Sequence, residues 1–174
     1  WDLAEVEHEL ARGSYEAVLG THNETTTGRL NPVAQLGRLG RAHGVRVLVD
    51  AMSSFGADPI EFEHLDAVCS SANKCLHGIA GLAFVLVRHE LAEAMRDYPR
   101  HTYYLSLPFY EHDNPRLTPP VPALAALRQA LREMQPGGQR ARHATYAQRS
   151  VQVRDAFTRR GLEFAVPVEA MSCT

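Results

Sequence analysis

Lysine is nearly missing from this sequence. Seventeen of its 18 basic residues are arginine, and the single lysine stands at position 74. Coding composition accounts for such a bias, so the count alone carries no chemistry. The two side chains still differ in one respect: arginine keeps its proton at any ordinary pH, whereas lysine can lose one and become a nucleophilic amine. Cysteine is scarce as well. Cys69, Cys75 and Cys173 form no C-x-x-C pair and are odd in number, which argues against a disulfide framework and predicts a reducing, cytoplasmic setting. No apolar run reaches the roughly 18 residues of a membrane span, and neither a span nor a basic-then-apolar leader is expected. The formal net charge of -2 supplies no long-range field for nucleic acid or an anionic membrane, so neither is expected as a partner. The nine histidines, among them His22, His43, His64, His77 and His89, show no H-x-x-x-H or H-E-x-x-H spacing, and no metal is expected.

What is present is ordinary for a soluble domain or a piece of one: 174 residues, 45% hydrophobic and 22% charged. A globule of this size buries about 70% of the surface of its unfolded chain. Asp2 caps a predicted helix with Leu3, Val6 and Leu10 on one face, ended by Gly13. Tyr15 to Thr21 reads as a strand, and Thr21 to Gly28 is polar enough to be a loop. Asn31 then caps a second helix with Pro32 at its first position, apolar at Val33, Leu36 and Leu39 and stopped by Gly44. Val45 to Val49, ending in Asp50, suits a parallel strand covered on both faces. Further strands are expected at Leu65 to Cys69 and Leu82 to Val87. This alternation predicts a parallel α/β sheet, whose ligands bind at the carboxyl ends of the strands. Thr25, Asp50 and Lys74 all fall at or just beyond such ends.

From Arg100 to Pro122 the chain turns to aromatics and prolines and reads as a connecting or interface segment. A helix follows with Val121, Leu124, Leu127, Leu131 and Met134 on one side, ended by Pro136-Gly137-Gly138. Another helix is expected over about Arg140 to Arg160, and Leu162, Phe164 and Val166 alternate as in a half-buried strand. Both ends of the chain read as cut.

Lys74 sits among small and polar residues, Ser70-Ser71-Ala72-Asn73-Lys74-Cys75. A lysine buried at a sheet edge loses its proton more readily, and a neutral amine forms a Schiff base with an aldehyde or ketone. If the aldehyde is pyridoxal phosphate, a carboxylate must keep the pyridine nitrogen protonated. Asp50 at a strand end offers one, although a turn-capping role is an equally good reading of that residue alone. Cys75 has no obvious base nearby for thiol catalysis, and Gly78 and Gly81 precede a strand where a phosphate fingerprint requires a helix.

Three segments together, Thr21-His22-Asn23-Glu24-Thr25-Thr26-Thr27-Gly28, Asp50-Ala51-Met52-Ser53-Ser54-Phe55-Gly56 and Ser70 to Cys75, closely resemble class V, fold type I PLP-dependent aminotransferases. The likeness extends to Leu105-Ser106-Leu107 and Arg116-Leu117-Thr118-Pro119-Pro120. It implies an α/β fold: part of the large PLP-binding domain over 1–99, with a mainly parallel sheet flanked by helices. An interface segment and linking helix would follow over 100–136, and the start of a small α+β C-terminal domain over 137–174. It implies that Lys74 binds pyridoxal 5'-phosphate covalently and moves the substrate proton, and that Asp50 pairs with the ring nitrogen. Thr25 would lie near the phenolic oxygen, Met52 on a ring face and Asn73 near the phosphate. Thr118 would reach the phosphate of a neighbouring subunit, which implies a homodimer. The partners implied are an amino donor and a 2-oxo acid acceptor.

Two branches of that family fit. One transfers the amino group between 2-aminoethylphosphonate and pyruvate; the other is the alanine/serine:glyoxylate branch, which typically carries G-S-Q-K where this chain has S-A-N-K. The first is favoured, with Ser53-Ser54-Phe55 leaning the same way. A third reading is a purely structural unit. The family's N-terminal phosphate-binding turn and helix, its ring-stacking aromatic residue and its C-terminal substrate-binding arginine have no counterpart here, and helix N-termini are strong phosphate sites.

Overall fold

The computed structural model describes residues 1–99, 102–110 and 117–174. Helix α1 (Leu3–Arg12) begins as expected: the Asp2 carboxylate accepts from the Ala4 and Glu5 amides, and the Gly13 amide donates back to Glu9. Strand β1 (Ala17–Thr21) follows. The polar stretch after it folds into a small antiparallel pair, β2 (Asn23–Glu24) and β3 (Arg29–Leu30), whose turn is closed by Thr26 donating to the Glu24 carboxylate.

Helix α2 (Val33–His43) starts one residue later than the sequence predicts. Pro32 takes the cap position, and no side chain caps the helix. Asn31 is drawn elsewhere: its side-chain amide donates to the Thr21 carbonyl at 2.9 Å and its backbone amide to His22 at 2.7 Å. It therefore closes the base of the β2–β3 pair. Gly44 ends α2 in the left-handed conformation, φ +66°, which only glycine adopts without penalty.

Strands β4 (Arg46–Asp50), β5 (Ala67–Ser71) and β6 (Ala83–Val87) complete a four-stranded sheet in the order β1-β4-β5-β6. The first three are parallel; β6 runs antiparallel to β5. This departs from an all-parallel reading for a physical reason. The segment joining β5 to β6 contains no helix and is too short for a crossover, so the chain turns back along its neighbour. The sheet as a whole remains mainly parallel.

The core lies on one face of this sheet. Val33 and Leu36 of α2 pack on Val47, Val49, Val68, Ala51 and Leu65, with Val6 of α1 and Val18 of β1 at the margin. Helix α3 (His89–Ala94) follows β6, and α4 (Val121–Met134) and α5 (Gly138–Thr158) end the helical part.

Helix α4 corrects the apolar stripe inferred for it. Its buried residues are Ala123 and Ala130, while Val121, Leu124 and Leu131 are exposed. Ala123 faces Gly81, where a Cβ would make an ordinary contact at 3.9 Å. The alternation at Leu162, Phe164 and Val166 forms no strand, because no neighbouring strand among the described residues offers it a ladder. Instead Met171 makes an isolated bridge with Arg29, and the Ser172 amide donates to Gly28. Among the described residues no helix is long and apolar enough to cross a membrane.

Candidate active site

Parallel pairing aligns Thr21, Asp50 and Cys69 side by side at the carboxyl edge of the sheet. Each strand is an apolar run ended by polar residues, so its polar groups emerge at this edge. Asp50 Oδ1 accepts the Met52 amide at 2.7 Å, which fixes the turn after β4. Its second oxygen takes no donor among the described residues.

Ser53 is the hub of that turn. Its hydroxyl donates to the Asn23 carbonyl at 3.1 Å and accepts from the Asn23 amide at 3.1 Å and the Thr25 hydroxyl at 3.2 Å. Next to it, fully buried Ser54 meets His22 Nδ1 at 2.9 Å. Burial pushes the His22 pKa below its ordinary value, and the negative charge of Asp58 opposes this. The imidazole is thus held neutral as part of the wall behind Thr25 and Asp50.

The lysine lies on the adjacent turn, just past β5. The His77 amide donates to the Lys74 carbonyl at 2.9 Å, and the Gly78 amide to Ala72 at 2.7 Å. His77 is in the left-handed region, φ +65°, a conformation that costs a non-glycine residue about 1–2 kcal/mol. Contacts from α5 hold it there: Tyr146 bonds His77 Nε2 through its hydroxyl, and Arg142 donates to the Cys75 carbonyl. Cys75 in turn donates its thiol to the Ser53 carbonyl at 3.2 Å. Gly56, at φ +91°, lets the Asp50 turn close on Leu76, since a Cβ there would come within 2.8 Å of a Leu76 methyl. The Asp50 turn, the lysine turn and α5 therefore form one linked assembly.

The structure ties Thr25, on the turn between β2 and β3, through Ser53 to the turn that carries Asp50 and Met52, and sets Asn73 and Lys74 on the turn after β5. It departs from the sequence reading in one respect. The lysine side chain is exposed, as is Asn73, and only their neighbours Ala72 and Cys75 are buried. Thr118 lies exposed in the coil before α4 and is not part of this assembly; Arg116 of the same motif lies outside the described residues, as does Arg100 at the start of the interface segment. Cys75 is unsuited to thiolate chemistry, because burial first and the Asp58 charge second raise its pKa.

Sequence reasoning missed Ser53 as a hub, and it missed Arg142 and Tyr146. The last two stand four residues apart on α5, so they share a helix face. That spacing was a visible signal, but their targets lie far away in the chain.

A family model for class-V aminotransferases matches residues 1–162. The chain belongs to the class-V aminotransferase family. Among curated relatives, it is 41% identical to a 2-aminoethylphosphonate–pyruvate transaminase of Salmonella heidelberg (strain SL476), over 73% of this chain and 37% of that protein. Among solved structures, it superposes on a pyridoxamine–pyruvate aminotransferase of Mesorhizobium loti with a TM-score of 0.89 and 29% identity, covering 100% of this chain and 47% of that one. An alanine–glyoxylate aminotransferase of Nostoc sp. gives the same TM-score at 26% identity, covering 100% of this chain and 48% of the other. The chain thus spans about a third of the length of the curated relatives it matches and about half that of these structures.

Membership of the class-V aminotransferases implies pyridoxal phosphate as cofactor. The residues present fit that group. They offer one exposed amine, a carboxylate with an uncommitted oxygen, a hydroxyl at Thr25 and a thioether at Met52. Ser71 Oγ, buried at the end of β5, also lacks a hydrogen-bond partner, so a polar group remains to be satisfied beside the lysine turn.

Proposed function

We propose that the protein carrying this chain is a pyridoxal phosphate-dependent transaminase that moves the amino group of 2-aminoethylphosphonate to pyruvate, giving phosphonoacetaldehyde and alanine, or runs that exchange in reverse. The observation that carries the reading is the single lysine placed on a turn tied directly to the turn of Asp50. The phosphonate substrate rests on the relatives named for that reaction and on S-A-N-K at the lysine.

When bound, the cofactor supplies an electron-withdrawing ring that stabilises negative charge at the substrate α-carbon. The chain's own residues hold and tune it. Lys74 Nζ would hold the cofactor through its amine and would serve as the base that takes and returns the proton at the substrate α-carbon. The free oxygen of Asp50 keeps the ring nitrogen protonated. Thr25, oriented by Ser53, donates toward the phenolic oxygen; Met52 packs on a ring face; Asn73 lies toward the phosphate. Thr118 serves the phosphate of a neighbouring subunit, making the working unit a homodimer, a reading supported by its exposed place ahead of α4. Residues 1–99 form the last part of the cofactor-binding domain, 100–136 the interface segment and linking helix, and 137–174 the start of the small domain. Three free cysteines support a cytoplasmic location.

A second reading, alanine:glyoxylate transamination, is favoured only by the likeness in fold to the Nostoc enzyme. Transamination by the complete protein separates the two. Our reading predicts alanine formed from pyruvate with 2-aminoethylphosphonate as donor. Efficient amination of glyoxylate by alanine, with 2-aminoethylphosphonate ignored, would overturn it.

A further inference from the structure

Asp58, His143 and Cys173 come from three distant parts of the chain: the end of the turn after β4, helix α5 and the C-terminal segment. None belongs to the cofactor set. Their donor atoms lie within 4.8 Å of one another. Asp58 is only 2% exposed, and an ionised carboxylate at such depth needs compensation. Its Oδ2 accepts from the Ser172 hydroxyl at 2.5 Å and its Oδ1 from the Cys173 amide at 3.2 Å. Among the described residues it has no ion pair with lysine or arginine; His22 feels its charge, and His143 Nδ1 stands 3.8 Å from its Oδ1.

That nitrogen is a second, independent observation. It is buried and makes no hydrogen bond, and it faces the carboxylate across a gap too wide for one. A buried carboxylate, a buried unpaired ring nitrogen and a thiol outside any disulfide therefore surround the same small volume. The thiol donates to the Asp58 carboxylate while the ring nitrogen has no partner, and a cation between the three would replace the thiol proton and take that nitrogen as well.

We propose that Asp58, His143 and Cys173 form a zinc site. Mixed oxygen, nitrogen and sulfur donors suit this borderline ion and do not suit calcium or magnesium, which take oxygen. Zinc bonds of about 2.0–2.3 Å in a tetrahedron put donors about 3.3–3.8 Å apart, so closing the cluster takes movements of about an ångström. The Asp58–His143 separation already falls there. The Ser172 hydroxyl and the Cys173 amide orient the carboxylate from outside the ligand set. His143 and Cys173 are partly exposed, so water fills the fourth position. Binding forms a zinc–sulfur bond and releases the Cys173 thiol proton to solvent. The ion would pin α5 to the turn after β4, one residue from the arginine that holds the Cys75 carbonyl.

The purified chain, stripped with a chelator, is titrated with cobalt as a spectroscopic probe and with zinc in competition with a chromophoric chelator. The proposal predicts a thiolate-to-cobalt charge-transfer band that is lost in Cys173→Ser and kept in Cys69→Ser. It also predicts zinc affinity at least about tenfold weaker in His143→Ala, with far-UV circular dichroism confirming that the variant is folded. No band, a band that survives Cys173→Ser, or equal zinc affinity in folded His143→Ala overturns it. If Cys173→Ser does not fold, the His143→Ala affinity decides alone, since that residue is partly exposed on a helix.

Discussion

The two faces of the four-stranded sheet are made from similar apolar residues and meet different surroundings. On one, Val47, Val49 and Val68 are at most 1% exposed beneath α2. On the other, Leu19 is 73% exposed and Val85 37%, and a groove of about 390 Å³ opens among Leu19, Leu48, Cys69, Val85, Val87 and Leu91. The sequence predicts β4 covered on both faces. Only one is closely covered, because α1 and α2 both pack there and the β4–β5 connection, residues 51–66, carries no helix, whereas Leu91 of α3, Met95 and Tyr98 only border the groove on the other. Asp50 falls on the second face, two residues beyond Leu48. The first face explains why the chain folds as it does; the second is the face on which Asp50, the carboxylate of the proposed site, lies.

Substitutions on the two faces test that contrast. Leu36→Ala, beneath the covered face, should lower unfolding free energy by about 2–5 kcal/mol in urea titration; a smaller loss would mean that the core is not where stability resides. Arg142→Ala leaves the Cys75 carbonyl without its donor and should cost about 1–3 kcal/mol, with faster amide exchange at 74–78. Unchanged exchange there would separate α5 from the lysine turn.

A smaller effect concerns His22. Its folded pKa lies below the ordinary 6.5, so the unfolded chain binds more protons as pH falls. The stability contributed by the neutral imidazole is fully present above about pH 6.5 and is lost below it as pH drops through the folded value. The metal-free chain should therefore lose stability on acidification across this window, and His22→Gln should flatten the slope; an unchanged slope would contradict burial as the cause. Smallest of all, Leu19→Ala on the open face should shift stability by no more than about 0.5 kcal/mol. A core-sized loss would show that this face is covered after all.

What was legible in the sequence was local. Asp2 and Gly13 bound α1, Gly44 ends α2, and polar residues end the apolar runs of β4 and β5, which is why Asp50 and Lys74 reach the same edge. What was hidden depended on distant partners. Asn31 looks like a cap until Thr21 claims its amide. The leucines of α4 look like a core face, yet the residues that α4 buries are Ala123 and Ala130. Histidine spacing is blind to a cluster such as Asp58, His143 and Cys173, whose members meet only after folding. The exposure of Lys74 was equally out of reach, since nothing in Ser70 to Cys75 says which side chains would cover it.

The central claim is that this lysine is the cofactor's anchor. Incubating the chain with pyridoxal phosphate, reducing with borohydride and mapping the labelled peptide tests it most directly. The account predicts a pyridoxyl group on Lys74 and none in Lys74→Arg. Absence of label, or label confined to the amino terminus, would contradict it and favour a chain that serves only as a structural unit.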